Sequence, residues 1–268
     1  MTMTAQGETT RPGATHFVGV GHSHIVALAN GAYELQAAGA TFAGAPFTCR
    51  FHYLYAPDFE PNIVQDGSGP TLNPAIVQAV EQDEPRFYIA SVGGNEHNVL
   101  SIVQLYQRYD FILGDDPGLP LEPGAEIIPE SVIRETLREW MEPKIAVLRA
   151  IRARTPRPIA QIEPPAPLPR AQVLAHPKEF FRKKVDLTKL SPDMLRHKMW
   201  RLQTSLYREI CAELDVLYIE APPEMIGPDN MLARHVWGGD ATHANDLFGQ
   251  KMVERALRRI EGAIGGQN

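Results

Sequence analysis

The chain has 268 residues, 44 % hydrophobic and 22 % charged, with 23 Pro and 21 Gly. That composition excludes disorder, collagen-like repeats and coiled coil, and the length suits one or two domains with a core that needs no metal or disulfide. Twenty-six Lys and Arg against 32 Asp and Glu leave a net charge of −6, so no general basic field gathers nucleic acid or an anionic membrane. Two cysteines, Cys49 and Cys211, are too few for a disulfide scaffold and lack metal or redox spacing. The amino terminus has no apolar signal core and no stretch reaches membrane-span length, so the expected location is cytoplasmic.

Residues 1 to 14 are polar and aperiodic and read as a flexible arm, leaving 15 to 268 as a single domain. His16 to Gly21 is a short apolar strand. It stops at Gly21 and gives way to a helix in which Ile25, Leu28, Ala32 and Leu35 keep helical spacing. Further strands are expected at Phe47 to Leu54 and near Asn62 to Gln65, the latter ending in the turn Asp66-Gly-Ser-Gly-Pro70. Asn73-Pro74 caps the next helix. Arg86 to Gly94 is the clearest strand, with five β-branched, aromatic or strongly apolar residues before its glycine pair, and reads as buried and parallel.

A Pro- and Gly-rich loop from Gly114 to Pro129 precedes a helix from Glu130 to Arg154, with Pro143 as a kink or boundary. Pro158 to Glu163 is a strand closed by Pro164-Pro-Ala-Pro167. Ser191-Pro192 opens a long helix to Leu214, with the serine as its cap. Val216 to Ile219 is a fifth strand, and Asn245 to Ile264 a last helix. Alternating strands and helices mean crossover connections, a parallel sheet and helices on both faces. Residues 170 to 201 hold nine Lys or Arg against three acids; such a run is a solvated helix face or a lid that draws in an anionic substrate.

In an open parallel sheet, ligands bind beyond the carboxyl ends of the strands. The segments that follow the strands carry Gly21-His22-Ser23-His24, Asp66-Gly67-Ser68-Gly69, Gly93-Gly94-Asn95-Glu96-His97 and Gly239-Asp240-Ala-Thr-His243. A serine hydroxyl needs an imidazole to take its proton and a third group to orient that imidazole. Asp240 and His243, three apart in a turn, let the carboxylate reach Nδ1 while Nε2 faces a nucleophile from another strand. Attack on an acyl carbonyl also needs oxyanion donors; the Ser23 and Gly69 amides and the Asn95 side chain are candidates, with Gly67 an alternative to Gly69.

These four ordered blocks resemble those of the SGNH (GDSL-type) hydrolase superfamily: Gly-Asp-Ser, then Gly, then Gly-x-Asn-Asp, then Asp-x-x-His. The resemblance covers about residues 16 to 255. It implies an α/β fold, a flavodoxin-like three-layer α/β/α sandwich around a parallel sheet of about five strands. It also implies a serine ester hydrolase acting on a small ester such as an acetylated carbohydrate. Ser23 would be the nucleophile, His243 the base and Asp240 its orienting carboxylate, with Ser23, Gly69 and Asn95 as the oxyanion hole and no cofactor. The departures are His22 and Glu96, where the family has aspartates. His22, His24, His97 and Trp237 are candidate pocket residues. An acyltransferase using the same site, and a silent glycan- or metal-binding protein using the histidines, are the alternatives.

Overall fold

A computed structural model describes residues 14–67, 69–82, 84–104, 106–175 and 186–265. The amino-terminal arm read over residues 1 to 14 lies outside them except for its last residue. The elements in chain order are β1 (Thr15–Gly21), α1 (Ile25–Ala37), β2 (Thr41–Phe42), β3 (Ala45–Tyr53), β4 (Ile63–Asp66), β5 (Gly69–Leu72), α2 (Pro74–Glu81), β6 (Phe87–Ser91) and α3 (Glu96–Ser101). There follow β7 (Tyr109–Asp110), β8 (Glu126–Ile127), α4 (Glu130–Arg154), β9 (Ile159–Ile162), α5 (Arg170–Ala175), α6 (Asp193–Glu213), β10 (Leu217–Ile219) and α7 (Asp246–Gly265).

The main sheet runs β10-β9-β6-β1-β3-β2. The first five strands are parallel, as expected, and β2 adds a short antiparallel edge. Side chains alternate along the central strands, so each strand serves two cores. Phe17, Phe87 and Ile89 face α1 and α7, whereas Val18, Val20, Tyr88 and Ala90 face α2 and α4 with Ile76, Val80, Leu148 and Ile151. This is the three-layer sandwich that the alternation of elements predicts.

Register brings the strand ends level. Gly21 lies opposite Tyr53 on one side and Ser91 on the other, while Ala90 lies opposite Gln161 and Ile162 opposite Ile219. The segments that begin at His22, Leu54, Val92, Glu163 and Glu220 therefore leave one edge of the sheet.

Four local expectations are corrected. The strand near residues 62 to 65 does not join the main sheet; it pairs with Gly69–Leu72 as a separate antiparallel hairpin, Ile63 opposite Leu72. The helix from Glu130 to Arg154 continues past Pro143, because Met141, Ile145 and Leu148 keep one buried stripe on both sides of it. The cap of α6 is Pro192, and the Ser191 hydroxyl makes no cap bond; it is buried without a partner. The basic stretch is not a solvated face along α6, although Lys189 before it is exposed. Lys198 is fully buried against Asp110 at 2.9 Å, Arg196 is fully buried on Asp193 at 2.6 Å and on the Leu168 carbonyl, and Arg201 bridges Asp115 and Asp116. These cations fasten α6 to the loops around it. Lys178, Arg182, Lys183 and Lys184 lie outside the described residues.

Helices α1 and α7 approach closely enough to need glycine on both sides. A Cβ at Gly249 would lie 1.8 Å from the Ala27 carbonyl oxygen, and one at Gly31 would lie 2.1 Å from the Gln250 nitrogen. Asn30 also donates to Asp246 at 3.0 Å across the same contact. Gly262, on the same helix, has open space around it. Gly249→Ala is expected to cost about 1–3 kcal/mol through overpacking, whereas Gly262→Ala gains up to about 1 kcal/mol from helix propensity. Urea denaturation of the two variants beside wild type measures the contrast.

Candidate active site

Ser23 sits in the turn between β1 and α1, where Ile25 N–H donates to the His22 carbonyl at 3.0 Å. The N-cap position of α1 is taken by His24, with no side-chain capping bond. The Ser23 hydroxyl is therefore not consumed as a helix cap, the commonest fate of a serine in such a turn.

Asp240 and His243 meet as their spacing predicts. His243 Nδ1 lies 2.8 Å and 3.0 Å from the two carboxylate oxygens of Asp240. Asp240 Oδ1 also accepts from the backbone amides of Thr242 and His243, both at 2.9 Å, so the carboxylate is held by its own turn. Nδ1 carries the proton in this arrangement, which leaves Nε2 as the basic nitrogen. Nε2 is buried with no hydrogen-bond partner.

A cavity of about 300 Å³ opens at this edge of the sheet, and Ser23, His24, Glu163, Asp240 and His243 all border it. Ser23 and His243 thus share one wall without being hydrogen-bonded to each other. Such bonds are commonly long in free sites and tighten when substrate is bound.

Asn95 precedes α3 with φ −115, outside the left-handed region; the positive φ values fall on Gly93 and Gly94 instead. Its Oδ1 accepts from Asn98 Nδ2 at 2.7 Å, an assignment that turns the Asn95 amide nitrogen the other way. The Gly93-Gly94 loop lies against the Ser23 turn: a Cβ at Gly94 would sit 3.3 Å from the His24 ring. Neither Asn95 nor Gly69 is among the residues that border the cavity, and Gly69 stands at the turn of the β4–β5 hairpin with φ +118. The segment after β3 reaches the Ser23 turn through Asn62, which the sequence did not single out.

The four candidate pocket residues separate. His24 borders the cavity, and its ring packs against His243 with centroids 4.9 Å apart. His22, His97 and Trp237 are not among the lining residues. His22 is a clamp: its Nδ1 accepts from Gly93 N–H at 2.9 Å, so its Nε2–H donates to Asn62 Oδ1 at 3.1 Å. That pattern requires a neutral ring. Burial, and then the Lys144 charge, lower its pKa to about 3 despite the Asn62 bond. His97 is fully buried beside Gln203, and burial lowers it to about 3 as well. Trp237 Nε1 donates to the Leu232 carbonyl at 2.6 Å, holding the base of the loop that carries Asp240. Among the described residues no three or more His, Cys, Asp or Glu side chains are grouped to hold a metal.

Glu96, the second departure, accepts from the Gly94 amide at 2.8 Å and so supports the loop of Asn95; burial raises its pKa. Glu163 was missed. It follows β9 directly and borders the cavity, but Pro164-Pro165 reads as a strand terminator and hides it. Its Oε2 accepts from Ala221 N–H at 2.7 Å and its Oε1 from Tyr218 at 3.2 Å. Burial raises its pKa to about 7.

No family model and no curated protein matches this chain. Solved structures do align along nearly all of it. The lipopolysaccharide acetyltransferase periplasmic domain of Salmonella ser. Paratyphi A is 12 % identical, over 93 % of this chain and 85 % of that one, with a TM-score of 0.48. A GDSL-like lipase from Bacteroides thetaiotaomicron is 9 % identical over 93 % and 89 %, with a TM-score of 0.39. A variant of an acetyl-xylooligosaccharide esterase from Geobacillus is 12 % identical over 92 % and 94 %, with a TM-score of 0.42. The chemistry open to this site rests on its own residues. Among the described residues no helix is long and apolar enough to cross a membrane.

The clamp fixes a sign for pH dependence. Between about pH 6.5 and 3 the unfolded chain binds protons that folded His22 and His97 refuse. Their contribution to stability is full above that window and is lost as pH falls through it. Glu163 acts oppositely: its pKa is raised, so its contribution is present below the usual carboxyl range and is lost as pH rises through about 7. In an NMR titration the His22 and His97 ring signals should stay in the neutral form down to pH 5. A His22 midpoint near 6.5 would contradict the clamp.

Proposed function

We propose that this protein is a serine ester hydrolase of the SGNH type, working through an acyl-enzyme at Ser23. The observation that carries the reading is the Asp240 carboxylate on His243 Nδ1 at 2.8 Å, with His243 and Ser23 bordering one cavity. His243 Nε2 takes the Ser23 proton as Oγ attacks the ester carbonyl. The tetrahedral oxyanion is met by the Ser23 amide and the Asn95 side chain, with Gly69 reachable only if the hairpin moves toward the cavity. Collapse breaks the ester C–O bond, and the proton on Nε2 passes to the departing alkoxide. Water then attacks the acyl-serine, gives its proton to Nε2, and releases the acid as Ser23 Oγ recovers it. An acceptor hydroxyl in place of water would make the same acyl-enzyme a transferase.

Every step uses the orientation that Asp240 imposes on the ring. A fluorophosphonate probe is expected to modify wild type at Ser23, seen by intact mass, and to leave Ser23→Ala untouched. Asp240→Asn should keep the fold, because the amide oxygen still accepts the turn's backbone bonds, yet lower kcat on an aryl acetate roughly 10⁴-fold by favouring the wrong tautomer. Labelling that persists in Ser23→Ala, or an Asp240→Asn enzyme within a few-fold of wild type, sinks the assignment.

A further inference from the structure

Two ring nitrogens on the cavity wall are buried without a hydrogen-bond partner, Nε2 of His243 and Nε2 of His24. The first is the base. The second has no part in the acyl-enzyme steps, although His24 follows Ser23 directly and is only 7 % exposed. A buried polar atom left unpaired is costly, and a partner that arrives with substrate removes the cost. The surroundings show which way this nitrogen faces. A Cβ at Gly94 would lie 3.3 Å from His24 Cδ2 and 3.8 Å from Nε2, so that ring edge abuts the loop of Asn95 while the ring packs on His243 with centroids 4.9 Å apart. Burial above all, and then the His243 and His97 rings, hold its pKa well below the usual imidazole value. His24 therefore stays neutral when His243 takes up the serine proton. A neutral imidazole keeps one N–H, and beside a developing oxyanion the donating tautomer is the favoured one.

We propose that His24 is a further catalytic residue whose Nε2–H donates to the tetrahedral oxyanion, in the place that the resembled family gives to its second-block glycine. This rests on the acyl-enzyme reading above. Gly69 is that glycine by sequence, yet it stands at the turn of the β4–β5 hairpin and does not border the cavity, whereas His24 does. No bond forms to His24 and no proton leaves it. The ring offers a fixed donor that strengthens as charge develops on the oxygen, so its effect falls on kcat rather than on KM.

Turnover of p-nitrophenyl acetate tests this with His24→Phe, which keeps a ring and loses the donor, and His24→Gln, which keeps a neutral donor. His24→Phe should lower kcat about 10²–10³-fold with KM within a few-fold of wild type, and His24→Gln should recover to within about tenfold of wild type. A merely structural role predicts that KM and melting temperature move together and that His24→Gln rescues nothing. That result, or a His24→Phe kcat within a few-fold of wild type, overturns the proposal. Should His24→Phe fail to fold, a crystal structure of wild type phosphonylated at Ser23 needs no variant: a His24 ring nitrogen should lie about 2.7–3.1 Å from the phosphonyl oxygen. A phosphonyl oxygen met by the Gly69 amide, with His24 turned away, overturns it equally. A wild type that neither reacts with the fluorophosphonate nor turns over the ester fails in a different way, taking down the acyl-enzyme reading and the His24 assignment with it.

Discussion

The site depends on one imidazole that must not be charged. His22 accepts from the Gly93 amide on one nitrogen and donates to Asn62 on the other, so a single ring joins the Ser23 turn, the loop of Asn95 and the segment after β3. A proton on Nδ1 would set two donors against each other at 2.9 Å. Burial prevents that, and the nearby Lys144 makes a second positive charge still less welcome. Asn62 is fixed in turn, because its amide nitrogen donates to the Leu54 and Phe59 carbonyls. The place where the resembled family carries an aspartate is therefore held by a residue that performs the joining with a neutral ring.

A second constraint places the other half of the constellation. Asp240 and His243 precede α7, and Ser23 precedes α1. The distance between them is set by how those two helices pack, and there the chain brings Gly31 and Gly249 backbone to backbone. Any added volume at that contact would be passed to the cavity, since both helix starts border it through Val26, Ala27 and Phe248. Packing more than two hundred residues from the Ser23 turn in sequence, at Gly249, thus governs the same geometry that His22 governs from within.

Much of this was legible in the sequence, for identifiable reasons. Most strands and helices with a clean period were placed within a residue or two, because Phe17, Val18, Phe87, Tyr88, Leu148 and Ile151 are core residues whose spacing follows the core; the strand read to Gly94 ends at Ser91, three residues short. Asp240-x-x-His243 was legible because its contact is local. The hairpin at 63 to 72 was not, since a four-residue apolar stretch does not say which partner it pairs with. The basic stretch misled because charge density along a chain says nothing about burial; Lys198 points inward to Asp110, distant in sequence, and Arg196 is buried on Asp193 in its own helix and on the Leu168 carbonyl. Glu163 was passed over although it follows a strand directly, because the prolines after it dominate the local pattern.

Glu96 and Lys144 show how the departures hold together. Glu96 supports the Gly94 amide from beneath the Asn95 loop, and burial alone would drive it toward its neutral form. Lys144 opposes that drive, and its ammonium stands over the Tyr55 ring at 4.8 Å while Tyr55 packs against His22 at 4.8 Å. Burial keeps His22 neutral and the backbone bonds at Glu96 and Gly94 hold Glu96 toward its acceptor form, and the one Lys144 cation adds to both. The two positions that differ from the family pattern thus share one neighbouring charge, on a lysine that α4 delivers one residue after the proline that its buried stripe carries it past.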